Sequence, residues 1–194
     1  MSGLDISSHR LFGQWVRATW TGWALGVPFI IALALAGEAA GIGGAQALVG
    51  VGMGTGIRLM QGRAIRGVLH RSASWFWSCV AGLGVPFLAA DIAKAAGWDF
   101  TYSLYVSVAL GGFIVGIWQA FILRSRFHNA GGWVLASALG WTLAAGAAAV
   151  ADALPLRRLW GAVAYLATVA VGGLILSSVT GISLVRLLRK ETPA

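Results

Sequence analysis

Apolar runs long enough to cross a bilayer alternate along this chain with short polar clusters, and the clusters are of two kinds. One kind is basic: Arg10 and Arg17, then Arg63, Arg66, His70 and Arg71, then Arg124, Arg126 and His128, then Arg186, Arg189 and Lys190. The other kind carries the acids: Glu38, then Asp91, Lys94 and Asp99, then Asp152 ahead of Arg157 and Arg158. A helix needs about 20 residues to span the hydrocarbon core. The pattern therefore predicts an all-α membrane protein with six transmembrane helices, at about 18–37, 40–60, 73–93, 100–124, 131–151 and 159–188. Together they form one transmembrane domain over residues 18–190, followed by a short tail at 191–194. Ahead of it, residues 1–17 place Leu11, Phe12, Trp15 and Val16 at helical spacing after the polar Ser7-Ser8-His9-Arg10. That spacing reads as a short amphipathic segment on the membrane surface. A secretory signal peptide is the competing reading, since Arg10 and Arg17 precede an apolar run.

The chain also matches itself. A shift of 58 residues lays Gly54, Gln61, Arg66, His70, Trp75 and Gly82 on Gly112, Gln119, Arg124, His128, Trp133 and Gly140. Six matches of five residue types in so short a stretch indicate an internal repeat. A shift of 61 residues sets Gly172-Gly173 on Gly111-Gly112 and Thr180 on Gln119, which extends the pattern to a third, weaker copy. The expected architecture is three tandem helical hairpins, at about 18–60, 73–124 and 131–188. Gly26-Val27-Pro28-Phe29 also recurs 58 residues later as Gly84-Val85-Pro86-Phe87. Each proline removes a backbone donor and is expected to kink its helix, so equivalent packing sites are expected around the two.

The second predicted helix is crowded with Gly41, Gly43, Gly44, Gly50, Gly52, Gly54 and Gly56. In lipid such small residues let backbones approach closely, which places this helix among others. Arg58 falls near its expected end, where it would snorkel to the headgroups as an anchor.

Composition agrees with this reading. The chain is 58% hydrophobic and only 10% charged, with a mean hydropathy of +0.80. Soluble domains carry about 25% charged residues. The net charge of +8 raises the question of nucleic acid, but the basic residues sit in clusters between apolar runs, as in the positive-inside pattern. Nucleic acid is therefore not an expected partner; membrane lipids and other membrane subunits are. By the same rule both termini are cytoplasmic, while a bacterial inner membrane is what the resemblance drawn below implies. Of the tryptophans, Trp15, Trp20, Trp75, Trp98, Trp133 and Trp160 fall near predicted helix ends and read as an interfacial belt. Trp23, Trp118 and Trp141 lie deeper, where they suit packing against a helix or a flat ligand.

Chemistry is sparse. Gln61, Gln119 and Thr180 place a polar side chain near the inner end of the second helix of each hairpin. A buried amide costs free energy unless it is bonded, so these residues point to interhelical bonds or a small pocket where the hairpins converge. His70 and His128 lie in basic turns, where contacts to headgroups or a partner suit them better than ligation of a tetrapyrrole. The carboxylates sit at helix ends, with Asp91 the deepest and expected to act as a cap or to pair with Lys94. No hydrolase, zinc or phosphate-loop motif is present, so no catalytic residue is assigned and no metal site is expected. Cys79, the only cysteine, falls in an apolar run and reads as a small core residue.

Gly112, Gly116, Gln119, Leu123 and Arg124, followed by Trp133, spell a G-x3-G-x2-Q-x3-L-R helix and a tryptophan-bearing partner. The pattern resembles one found in uncharacterised bacterial polytopic membrane proteins, departs from it at Arg58 and Thr180, and brings no known activity. The expectation is a structural or accessory subunit of a larger membrane complex. By analogy this would be a reaction centre-antenna assembly, with lipid, bacteriochlorophyll or carotenoid at the periphery. The alternative is a small-molecule carrier similar in size to the substrate-binding subunits of energy-coupling-factor transporters.

Overall fold

The computed structural model of the chain describes residues 3–66, 72–98, 100–127, 130–153 and 158–190. The described residues form six α-helices: α1 (Gly3–Ala39), α2 (Ala47–Ile65), α3 (Ser72–Ala95), α4 (Ser103–Leu123), α5 (Gly131–Ala153) and α6 (Arg158–Lys190). Five of the six contain a stretch long and apolar enough to cross a membrane: His9–Ala39, Ala73–Ala95, Ser103–Leu123, Gly131–Val150 and Leu166–Arg189. Each helix packs against its neighbours in sequence, and α6 returns to pack against α1, so the six close into a ring.

All six seams are antiparallel. Along α1 and α2, Gly22 meets Ile57, Gly26 meets Met53 and Gly37 meets Leu48. At the last seam Gly181 lies against Phe12 and Trp15, whereas Gly173 lies against Trp20 and Trp23. The basic clusters consequently gather at one end of the ring, with Glu38, Asp91 and Asp152 at the other.

The helix missing from the apolar five is α2, and its position explains why. Gly50 and Gly54 press on the backbone of α3, while Gly52 and Gly56 press on α1. A methyl group added at Gly54 would stand 2.5 Å from the Cys79 carbonyl oxygen, and one at Gly56 would stand 2.5 Å from the Gly26 amide nitrogen. Glycine is required at these crossings by the closeness of two backbones. Of the residues of α2 only Arg63 is exposed, so this helix has little surface left to offer lipid and escapes the demand for bulky apolar side chains.

Several boundaries differ from the sequence expectation. The segment read as lying on the surface is continuous with the first helix, because α1 runs unbroken from Gly3. Nothing in its sequence stops a helix between Val16 and Ala18. The second helix starts at Ala47 instead of near residue 40, because Gly41 and Gly44 take positive φ and turn the chain. It ends later too, so Arg58 lies inside α2, its guanidinium 5.4 Å from the centre of the Phe76 ring. The two prolines are not equivalent: Pro28 is exposed and Pro86 buried. Pro28 follows Trp15 by 13 residues whereas Pro86 follows Trp75 by 11, an axial offset of about 3 Å between them.

Carboxylates and hydroxyls tie the acidic end together across helices. The two oxygens of Asp91, on α3, accept the backbone N–H groups of Gln46 and Ala47 at 2.9 and 2.8 Å. These are among the donors that the start of α2 leaves unmatched, and Gln46 has no side-chain cap of its own. The Gln46 amide donates to Ser103 Oγ at 3.2 Å, and the Tyr105 hydroxyl donates to Asp152. The expected capping role of Asp91 is thus realised towards a different helix.

Candidate functional site

Near the basic end, on the inner side of the ring, three tryptophans meet. Trp15 of α1, Trp75 of α3 and Trp133 of α5 are wholly or almost wholly buried. Their ring centroids are 6.2 Å (Trp15–Trp75), 5.6 Å (Trp15–Trp133) and 6.0 Å (Trp75–Trp133) apart, with interplanar angles of 86°, 75° and 58°. Edge-to-face contact is the arrangement that the ring quadrupole favours. The outcome differs from an interfacial belt. Each odd-numbered helix turns its tryptophan inward, and the indole N–H, which would be costly to bury alone, finds an acceptor on a neighbouring helix.

Those acceptors are the three polar residues singled out in the sequence. Trp75 Nε1 donates to Gln61 Oε1 at 3.3 Å, Trp133 Nε1 to Gln119 Oε1 at 3.0 Å, and Trp15 Nε1 to Thr180 Oγ1 at 2.9 Å. The pairs run α2 to α3, α4 to α5 and α6 to α1, so the last closes the ring between the two ends of the chain. Each glutamine also reaches back to the helix before it. Gln61 Nε2 donates to Thr19 Oγ1 at 3.1 Å, and Gln119 Nε2 donates to Cys79 Sγ at 3.4 Å. Thr19 and Cys79 stand one turn after Trp15 and Trp75, and Ser137 stands one turn after Trp133. The third arm is different because Thr180 is too short for the second bond. Its hydroxyl donates to the Leu176 carbonyl at 2.7 Å, and Ser137 Oγ donates to the Gly112 carbonyl at 2.7 Å.

Beside the cluster lies a central void of about 10 Å³, lined in part by Gln61, Gln119, Ser137 and Thr180. That is close to the smallest space that admits one water molecule. Gln61, Gln119 and Thr180 therefore do converge as expected, on a packed centre. Leu83, Trp23 and Trp141 continue the core one level further in, with Trp23 and Trp141 centroids 5.4 Å apart at 48°.

The remaining sequence candidates scatter. Trp118, expected to lie deep, is 38% exposed on the outer face of α4. Trp98, expected at an interface, is exposed. His70 and His128 lie outside the described residues, as does the side chain of Trp160. No group of three or more His, Cys, Asp or Glu is placed to hold a metal among the described residues. The sequence reading missed Trp15, Thr19 and Ser137 as partners of this network. Trp75 and Trp133 were visible at the 58-residue shift, but Trp15 precedes Trp75 by 60 residues, and that difference hid it.

Chemically, the arrangement joins neutral donors to neutral acceptors around a closed centre and sets the rotation of every helix about its own axis. A ring of six helices, five of them apolar enough to span, with Thr19, Gln61, Gln119, Ser137 and Thr180 buried within it, has the build of a multi-pass membrane protein. No family model, no curated protein and no solved structure matches the chain.

Proposed function

We propose that this protein is a structural or accessory subunit of a larger bacterial membrane complex: a rigid body of three tandem hairpins that others pack against. The observation that carries the reading is the packed centre. A solute site occupies roughly 300–1,000 Å³, whereas the axis here is filled by Trp15, Trp75 and Trp133 beside a void of about 10 Å³. The outside, by contrast, offers large apolar and aromatic side chains, among them Trp77, Phe113, Trp118 and Phe121. These suit lipid tails, a pigment ring or a neighbouring helix, and a photosynthetic assembly is one setting that supplies all three.

In this reading the three Trp-to-acceptor arms are the remnant of one repeated hairpin. All six helices cross the inner membrane, α2 included, because α2 accompanies α1 and α3 over its whole length. At about 1.5 Å per residue its 19 residues approach the thickness of the hydrocarbon core. Arg63, Arg66, Arg124, Arg126, Arg186 and Arg189 at one end, against Lys94 and Arg158 at the other, favour that end as cytoplasmic, with both termini there.

The test is mild-detergent extraction from native membranes, with mass and absorbance analysis of what accompanies the chain. The expected result is stoichiometric recovery with larger membrane subunits. A solute recovered at one per chain, with no partner protein, would replace this reading with the carrier of energy-coupling-factor type. Cysteine-accessibility mapping of residues 41 and 97, expected to report the same side, checks the even number of crossings.

A further inference from the structure

Two apolar grooves on the outside of the ring differ in the charge that their described lining residues carry. The groove between α3 and α4, about 620 Å³, is bordered by Pro86, Ala89 and Leu110 and by the hydroxyls of Thr101, Tyr102 and Ser103. The groove between the start of α5 and the end of α6 measures about 530 Å³. Its walls include Leu135, Ala136, Leu139 and Ile182, with Ser183 and Arg186 on α6 supplying the polar groups. Leu135 and Leu139 are one turn apart, as are Ile182 and Arg186, so both walls present a continuous strip.

Depth fits charge to chain. Arg186 lies six residues beyond Thr180, about 9 Å further along the axis, at the end where Arg63, Arg66, Arg124 and Arg126 also gather. Arg186 is exposed and is the one charged side chain in the lining. Gly132 keeps the mouth wide, since even a Cβ added there would meet nothing within 4 Å. The result is an apolar trough that starts among the helices and finishes at a guanidinium at headgroup level. A guanidinium pairs with phosphate through parallel N–H bonds, which a neutral or zwitterionic rim would not reward in the same way.

We infer that this groove is a binding site for one anionic phospholipid, an acyl chain lying on Leu135, Leu139 and Ile182 and the phosphate meeting Arg186 and Ser183. The inference does not depend on what the chain assembles with, because it concerns the lipid-facing side of α5 and α6 alone.

The purified, delipidated chain in neutral detergent is titrated with phosphatidylglycerol or phosphatidylcholine, and retained lipid is counted by native mass spectrometry at low and at high salt. One phosphatidylglycerol per chain is expected, preferred over phosphatidylcholine by about tenfold or more at low salt and by less at high salt. Arg186→Gln removes the preference, and Arg186→Lys keeps part of it. Gly132→Leu, whose Cβ would meet nothing within 4 Å, lowers retention of both lipids by narrowing the mouth, with an unchanged unfolding midpoint as the check on the fold. Arg63→Gln, at the same end but away from the groove, leaves the preference unchanged. The inference is overturned if Arg186→Gln retains the preference, if Arg63→Gln loses as much, or if Gly132→Leu binds like the wild type. Soluble glycerol phosphate competing as well as the lipid would also overturn it, by making the site one for free phosphate esters.

Discussion

Thr180→Val should loosen the seam at which the first helix meets the last. Valine keeps the shape of threonine and removes the hydroxyl that accepts Trp15 Nε1 at 2.9 Å, with Trp15 fully buried and Thr180 4% exposed. An indole N–H left without a partner away from water costs about 1–3 kcal/mol. Interhelical bonds measured in a bilayer average about 0.6 kcal/mol and reach about 1.7, because the unfolded chain finds other partners there. The lost Thr180 donation to the Leu176 carbonyl contributes little, since that carbonyl already serves the helix. The expected loss is therefore about 1–2 kcal/mol, a factor of 5–30 in the folded-to-unfolded ratio. Reversible unfolding in mixed micelles is the assay, with Trp15→Phe and the double variant completing a cycle that isolates the pair. The double variant should be less destabilised than the sum of the singles, because a phenyl ring in place of the Trp15 indole has no donor to satisfy. A single variant as stable as the wild type, or singles that simply add, would refute the claim that this bond closes the ring.

Further consequences follow from the same geometry. Gly54→Leu should prevent assembly of the bundle, since even its first carbon would stand 2.5 Å from the Cys79 carbonyl oxygen; size-exclusion profiles and protease resistance report it. Gly146→Ala, where nothing lies within 4 Å, should instead raise stability by about 0.5–1 kcal/mol through helix propensity, read from the unfolding midpoint. Asp91→Ala should cost about 0.5–2 kcal/mol, the usual worth of a helix cap, and should fray the start of α2 in hydrogen exchange while leaving its far end protected. Cys79, 1% exposed, should resist a maleimide in the folded protein and react fully after unfolding.

The sequence alone determined the helical class, the number of helices and the asymmetry between a basic end and an acidic one; it read all six helices as spans, and five of them carry a stretch apolar enough to cross. Each of these is a property of composition along the chain, which lipid and water sort without reference to what lies alongside. It also singled out Gln61, Gln119 and Thr180, because a polar side chain in an apolar run demands a partner wherever the run ends up. The identity of those partners was decided only by tertiary structure. A tryptophan near a helix end satisfies the pattern of an interfacial belt equally well whether it faces headgroups or a neighbour. The choice made by Trp15, Trp75 and Trp133 depends on the rotation of three helices distant in sequence. What Arg58 and Asp91 meet was not legible for a related reason: their partners lie across helices, the Phe76 ring for Arg58 and the backbone N–H groups of Gln46 and Ala47 for the capping carboxylate of Asp91. Glycine on α2 was legible as a close-packing signal, but its division into a face for α1 and a face for α3 exists only once the ring has closed.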